Sequence, residues 1–161
     1  MSDQALILVV EDSEDDVLLI RRAFQKGKVA NPLQVVRTGD DAIAYLKGEN
    51  RYADRAECPL PELVLLDLKL PGKDGFEVLK WIRRQPGLSA MRVVVLTSSS
   101  EMSDVNKAYQ MGANSFLVKP VDFNQFVAIA HALSGYWLWL SKAPQISRPG
   151  EHPTIGRCVL S

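Results

Sequence analysis

The stretch Leu63-Val64-Leu65-Leu66-Asp67, running on into Leu68-Lys69-Leu70-Pro71-Gly72-Lys73-Asp74-Gly75, decides how the rest of the chain is read. Four apolar residues without a charge among them form a strand buried on both faces. Pro71 and Gly72 then impose a turn. Asp67 is left at the end of the strand with a charge whose desolvation calls for a partner, so it is a candidate site residue. Taken alone, it reads more simply as a cap-like residue in a loop. The chemistry at the ends of the other strands decides between the two.

Apolar runs recur at 6–10, 33–37, 92–96 and 115–118, and helix-periodic segments alternate with all five runs. The helices have readable starts, with capping-box-like spacing in Ser13 with Asp16, Thr38 with Asp41, Asp74 with Glu77 and Asp122 with Gln125. Gly27, Gly48, Gly112 and Gln85-Pro86-Gly87 supply stops. Five βα units with right-handed crossovers make an α/β fold with an open, doubly wound parallel sheet. Residues 47–61 form a long polar connection between the second helix and the third strand. Residues 142–161, with Pro144, Pro149, Gly150, Pro153 and Gly156, read as an arm or disordered tail behind a domain spanning 1–141.

The composition is that of an ordinary soluble chain: 161 residues, 47% hydrophobic and 24% charged. Basic and acidic residues both number 19, so no charge excess points to nucleic acid or a membrane surface. Arg21-Arg22 and Arg83-Arg84 read as solvated helix faces, and His131 and His152 lack a partner constellation. The apolar run after Met1-Ser2-Asp3-Gln4 is too short for a signal or a membrane span. Cys58 and Cys158 show no metal-ligand spacing and fit reduced thiols in a cytoplasmic protein.

In an open α/β sheet, ligands sit beyond the carboxyl ends of the strands. The first strand ends in Glu11-Asp12, the third in Asp67, the fourth in Thr97-Ser98 and the fifth in Lys119-Pro120. Three carboxylates brought to one rim repel each other and call for a cation. An all-oxygen donor set suits Mg²⁺. A neutralised Asp67 could attack an electron-poor phosphorus, with Lys119 and Thr97 serving the equatorial oxygens. A cis Lys119-Pro120 peptide is one way of aiming the lysine inward. Rival chemistries fit less well. A haloacid-type phosphatase wants Asp-x-Asp after its first strand, where Asp12-Ser13-Glu14 stands. A nucleotide binder wants glycines there, where Glu11-Asp12-Ser13-Glu14-Asp15-Asp16 would repel bare phosphate.

Val9-Val10-Glu11-Asp12, Leu65-Leu66-Asp67-Leu68-Lys69-Leu70-Pro71 with Asp74-Gly75, Leu96-Thr97-Ser98 and Val118-Lys119-Pro120 resemble the receiver domain of two-component response regulators. The 47–61 loop and Tyr136-Trp137-Leu138-Trp139-Leu140 further resemble the stand-alone regulators paired with phytochromes. The resemblance implies a flavodoxin-like five-stranded sheet of order 2-1-3-4-5. It implies Asp67 as the phosphoryl acceptor from a sensor histidine kinase, which in the narrower match is a phytochrome. It places Mg²⁺, with Mn²⁺ or Ca²⁺ as substitutes, on Asp12, Asp67 and the backbone carbonyl of Lys69, with Glu11 acting mainly through water. Thr97 and Lys119 would hold the phosphoryl group, and Phe116 falls at the switch aromatic, a place plain core packing also explains. Lys69 and Ser99 flank the path of the hydrolytic water and are candidates for tuning dephosphorylation. The protein would be a signalling switch rather than an enzyme, catalysing only its own phosphorylation and dephosphorylation. With no effector domain in the chain, output would come from partner binding or oligomerisation.

The last helix carries two stripes. Phe126, Ala130, Leu133, Trp137 and Leu140 suffice to pack on the sheet. Ile129, Ala132, Tyr136 and Trp139 make a second apolar stripe, read as a homodimer face formed by helix four, strand five and helix five.

Overall fold

The computed structural model describes residues 5–140 together with Pro144, Ile146, Ser147 and Pro149. The side chains of 138–140 lie outside that description, and so do His152, Cys158 and the Trp139 and Leu140 positions of the two stripes. Five strands, β1 (Ile7–Val10), β2 (Leu33–Val36), β3 (Leu63–Leu66), β4 (Val93–Thr97) and β5 (Ser115–Val118), alternate with α1 (Glu14–Lys26), α2 (Gly39–Lys47), α3 (Gly75–Arg84), α4 (Met102–Gln110) and α5 (Phe123–Leu133). All pairings are parallel and the order is β2-β1-β3-β4-β5, as expected.

The pleat explains why β1, β3 and β4 read as unbroken apolar runs. Leu8, Val10, Val64, Leu66, Val93 and Val95 face a core completed by Ala42, Leu46, Val78, Leu79 and Ile82 of α2 and α3. Ile7, Val9, Leu63, Leu65, Val94 and Leu96 face the opposite core, built with Ile20 and Phe24 of α1 and Phe126, Ala130 and Leu133 of α5. Both faces of these strands are covered, so neither can be polar.

The helix starts follow the capping chemistry. Ser13, Thr38 and Asp74 accept the backbone N–H three residues on. Asp122 departs from the expectation: it accepts from the N–H of Asn124 rather than Gln125, a local Asx turn in place of a capping box. α2 ends at Gly48 in the left-handed region, where a residue without Cβ is at ease.

The 47–61 connection is an ordered structure rather than a bare loop. It contains a 3-10 turn (Asn50–Tyr52) whose Tyr52 is buried. Arg55 donates to the carbonyls of Tyr45, Leu46 and Cys58. After α5 the chain continues as a π-helical turn, Ser134–Leu140. Buried Arg92 at the foot of β4 donates to the Trp137 carbonyl and lies 5.6 Å from the centre of that ring. Beyond the turn, Ile146 packs on the α2–α3 core and the Ser147 N–H bonds the Gly87 carbonyl at 2.7 Å. This part of the expected tail is docked. Among the described residues, no helix is long and apolar enough to cross a membrane.

Candidate functional site

The strand order reverses direction between β1 and β3, and the register there builds the site. Val10 pairs with Leu66, so Glu11 and Asp67, the next residue on each strand, emerge side by side. The Asp67 N–H is held by the Val10 carbonyl at 3.1 Å. Thr97 pairs with Val118, which delivers Lys119 one residue past the end of β5, and the Lys119 N–H bonds the Thr97 carbonyl at 2.7 Å. The turn after Asp67 closes tightly. A Cβ on Gly75 would sit 2.2 Å from the Asp67 carbonyl oxygen, so glycine is required there.

Carboxylate oxygens of Glu11, Asp12 and Asp67 lie within 4.8 Å of one another. Glu11 and Asp67 are buried while Asp12 is exposed. The Lys119 ammonium, 9% exposed, bonds Glu11, Asp16 at 2.8 Å and Asp67 at 3.0 Å. Burial pulls the Lys119 pKa down, but its bonds to Asp16, Glu11 and Asp67 outweigh this and hold it above the usual lysine value. Burial pushes Glu11 up to about 7; the bond from Lys119 opposes that rise and the Asp67 charge adds to it. Four carboxylates around one ammonium leave an excess of negative charge. A hard divalent cation bound by oxygens fits that excess and that donor set.

The expected site residues do not all meet at one point. Glu11, Asp12, Asp67 and Lys119 come together. Thr97 is fully buried at the end of β4, and Lys69 is exposed, its N–H 3.3 Å from Asp67 Oδ1. Ser99 is engaged elsewhere, its hydroxyl donating to Asp104 at 2.6 Å. Phe116 is half-buried against the α2–α3 core, and its N–H is taken by the Tyr109 hydroxyl at 3.1 Å. The cis expectation at Lys119-Pro120 is corrected: the described residues contain no cis peptide. The lysine stem reaches the carboxylates from a trans bond, the form X-Pro favours.

Sequence reasoning missed Asp16 as a site residue and took it only for a cap partner. The signal was available. Asp16 stands four residues before Ile20 and seven before Ala23, on the stripe that faces the interior. Asp104 and Tyr109 carried no such signal, because both meet their partners only across a turn or a strand edge.

Fold and site together define a signalling receiver, an acid pocket with one buried ammonium at the switch point of a 2-1-3-4-5 sheet. The chain belongs to the response regulator receiver domain family, whose model matches residues 7–131. It is a response regulator of two-component systems. It is 38% identical to the probable methanogenesis regulatory protein FilR2 of Methanothrix harundinacea, over 88% of this chain and 89% of that one. It is 35% identical to response regulator Rcp1 of Synechocystis, over 86% of this chain and 95% of that one. Among solved structures, the phosphorylated cyanobacterial phytochrome response regulator RcpA superposes with a TM-score of 0.80 at 35% identity, covering 88% of this chain and 99% of that one. A Mn²⁺-bound form of Rcp1 gives 0.76 at 34% identity, covering 87% and 99%.

Proposed function

We propose that Asp67 accepts a phosphoryl group from the phosphohistidine of a sensor histidine kinase, with Mg²⁺ held by Asp12, Asp67 and the Lys69 carbonyl and supported by Glu11. The observation that carries this reading is Asp67 Oδ2 at 3.0 Å from the Lys119 ammonium, beside the Glu11 and Asp12 oxygens. An Asp67 oxygen forms the bond to phosphorus as the bond to the donor's imidazole nitrogen breaks, and the imidazole leaves. The cation supplies neutralisation of the carboxylates and of the transferred oxygens. Lys119 and Thr97 bind those oxygens, and Phe116 follows Thr97 as the switch. Lys69 and Ser99 tune hydrolysis of the acyl phosphate, Ser99 through its tie to Asp104.

The relatives support this reading: RcpA is described in a phosphorylated form and Rcp1 with Mn²⁺. They also support a phytochrome-type kinase as the phosphodonor. The switch acts in the cytoplasm without nucleic acid or membrane. Residues 1–141 serve as the receiver, 142–161 as an appended arm, and output runs through a homodimer face on α4, β5 and α5. Incubation with a small acyl phosphate and Mg²⁺, followed by intact mass, tests the chemistry. One added phosphoryl group is expected, lost in Asp67→Asn; equal labelling of both proteins would overturn the assignment.

A further inference from the structure

An ammonium has three N–H donors, and at Lys119 three carboxylates take them: Glu11, Asp16 at 2.8 Å and Asp67 at 3.0 Å. A phosphoryl group on Asp67 brings oxygens that need a donor. Phosphorylation turns the Asp67 carboxylate into an acyl phosphate and offers three phosphoryl oxygens where one carboxylate stood. For Lys119 to give them a second N–H, one of its two remaining carboxylate partners must give way. Glu11 and Asp16 are not equally easy to release. The Glu11 side chain is 2% exposed, and a carboxylate freed there would be stranded away from water. The Asp16 side chain is 32% exposed on the first turn of α1, where water and the helix N-terminus receive its charge.

We propose that Asp16 is the displaceable partner of Lys119: in the unphosphorylated protein its carboxylate occupies the place on the ammonium that a phosphoryl oxygen takes over. Asp16 is thus a positioning residue with two effects. It keeps Lys119 aimed into the pocket before phosphorylation, and it competes with the incoming group. Asp67 does not compete, since it carries the phosphoryl group, and Asp12 stands beside the group as a candidate metal ligand. The inference rests on Asp67 being the acceptor.

Equilibrium titration with beryllium fluoride, a phosphoryl mimic, at saturating Mg²⁺ reads the competition directly. Asp16→Asn and Asp16→Ser keep a polar side chain and remove the charge, so both are expected to bind the mimic on the order of three- to tenfold more tightly than wild type. Asp15→Asn removes the same charge from the exposed side of the same turn and is expected to match wild type. A merely structural role for Asp16 would weaken binding or leave it unchanged. Affinity in Asp16→Asn and Asp16→Ser no higher than in Asp15→Asn overturns the inference. A wild type that gains no mass with an acyl phosphate overturns the acceptor assignment and this inference with it. A mass gain with unaltered affinity in the Asp16 variants overturns the inference alone.

Discussion

Tyr45 shows how much one buried hydroxyl can carry. Its side chain is wholly buried, its Oη donates to the Pro59 carbonyl at 2.8 Å, and its ring meets Tyr52 at 5.1 Å between centres. Burial pushes its pKa up to about 12; Cys58 adds to that rise and the nearby Arg55 charge opposes it. A folded pKa above the unfolded value of about 10 means stability that is complete below pH 10 and lost as pH rises towards 12. Urea unfolding at pH 9 and pH 11 should therefore show wild type losing on the order of 1 kcal/mol more than Tyr45→Phe. At pH 9 the variant should already be weaker by roughly 1–2 kcal/mol, because the Pro59 carbonyl loses its donor. Equal losses between the two pH values would mean that Tyr45 ionises as freely folded as unfolded.

The 47–61 connection behaves as an element in its own right, and Arg55 holds it. Its guanidinium reaches the Leu46 carbonyl at 2.7 Å, one of the groups that the last turn of α2 leaves open, the Tyr45 carbonyl at 2.9 Å, which also accepts the Gly48 N–H, and the Cys58 carbonyl at 3.0 Å. The charge also lies at the negative end of the α2 dipole. Arg55→Ala should cost about 2–4 kcal/mol in thermal or urea unfolding and expose the connection to proteolysis. Arg55→Lys should recover only part of this, since a compact ammonium cannot span carbonyls that a planar fork reaches. A variant as stable and as protease-resistant as wild type would assign the ordering of this segment to Tyr52 and the 3-10 turn instead.

On the scale of the molecule, β5 is one of the two edge strands of the sheet. Met102 and Tyr109 of α4, Val118 of β5 and Tyr136 beyond α5 are exposed on it or on the elements that neighbour it in the chain. The expected second stripe is partly used within the chain, because Ile129 packs on the α1–α5 core, whereas Ala132 and Tyr136 stay exposed. The Tyr109 hydroxyl takes one N–H of the edge strand, so pairing through side chains fits this face better than strand addition. Sedimentation at micromolar concentration should show a dimer, weakened in Tyr136→Glu. Monomers alone, with and without an acyl phosphate and Mg²⁺, would remove this face from the proposed output.

Residues that act where the chain stands were legible in the sequence by itself. Strands covered on both faces must be apolar throughout, so 63–66 and its counterparts announced the sheet, and Glu11, Asp12, Asp67, Thr97 and Lys119 announced the rim by ending those strands. Only the tertiary structure decided matters of direction and docking. Which acid of Glu14-Asp15-Asp16 faces Lys119 depends on how α1 lies on the sheet. Arg55 finds the end of α2, and Tyr109 the N–H of Phe116, only when separate elements meet. The docking of Ile146 under the sheet is likewise set by what it must reach. Hydrophobic period and strand-end chemistry are local, and sequence records them; a hydrogen bond between elements depends on distances that exist only once the two have packed.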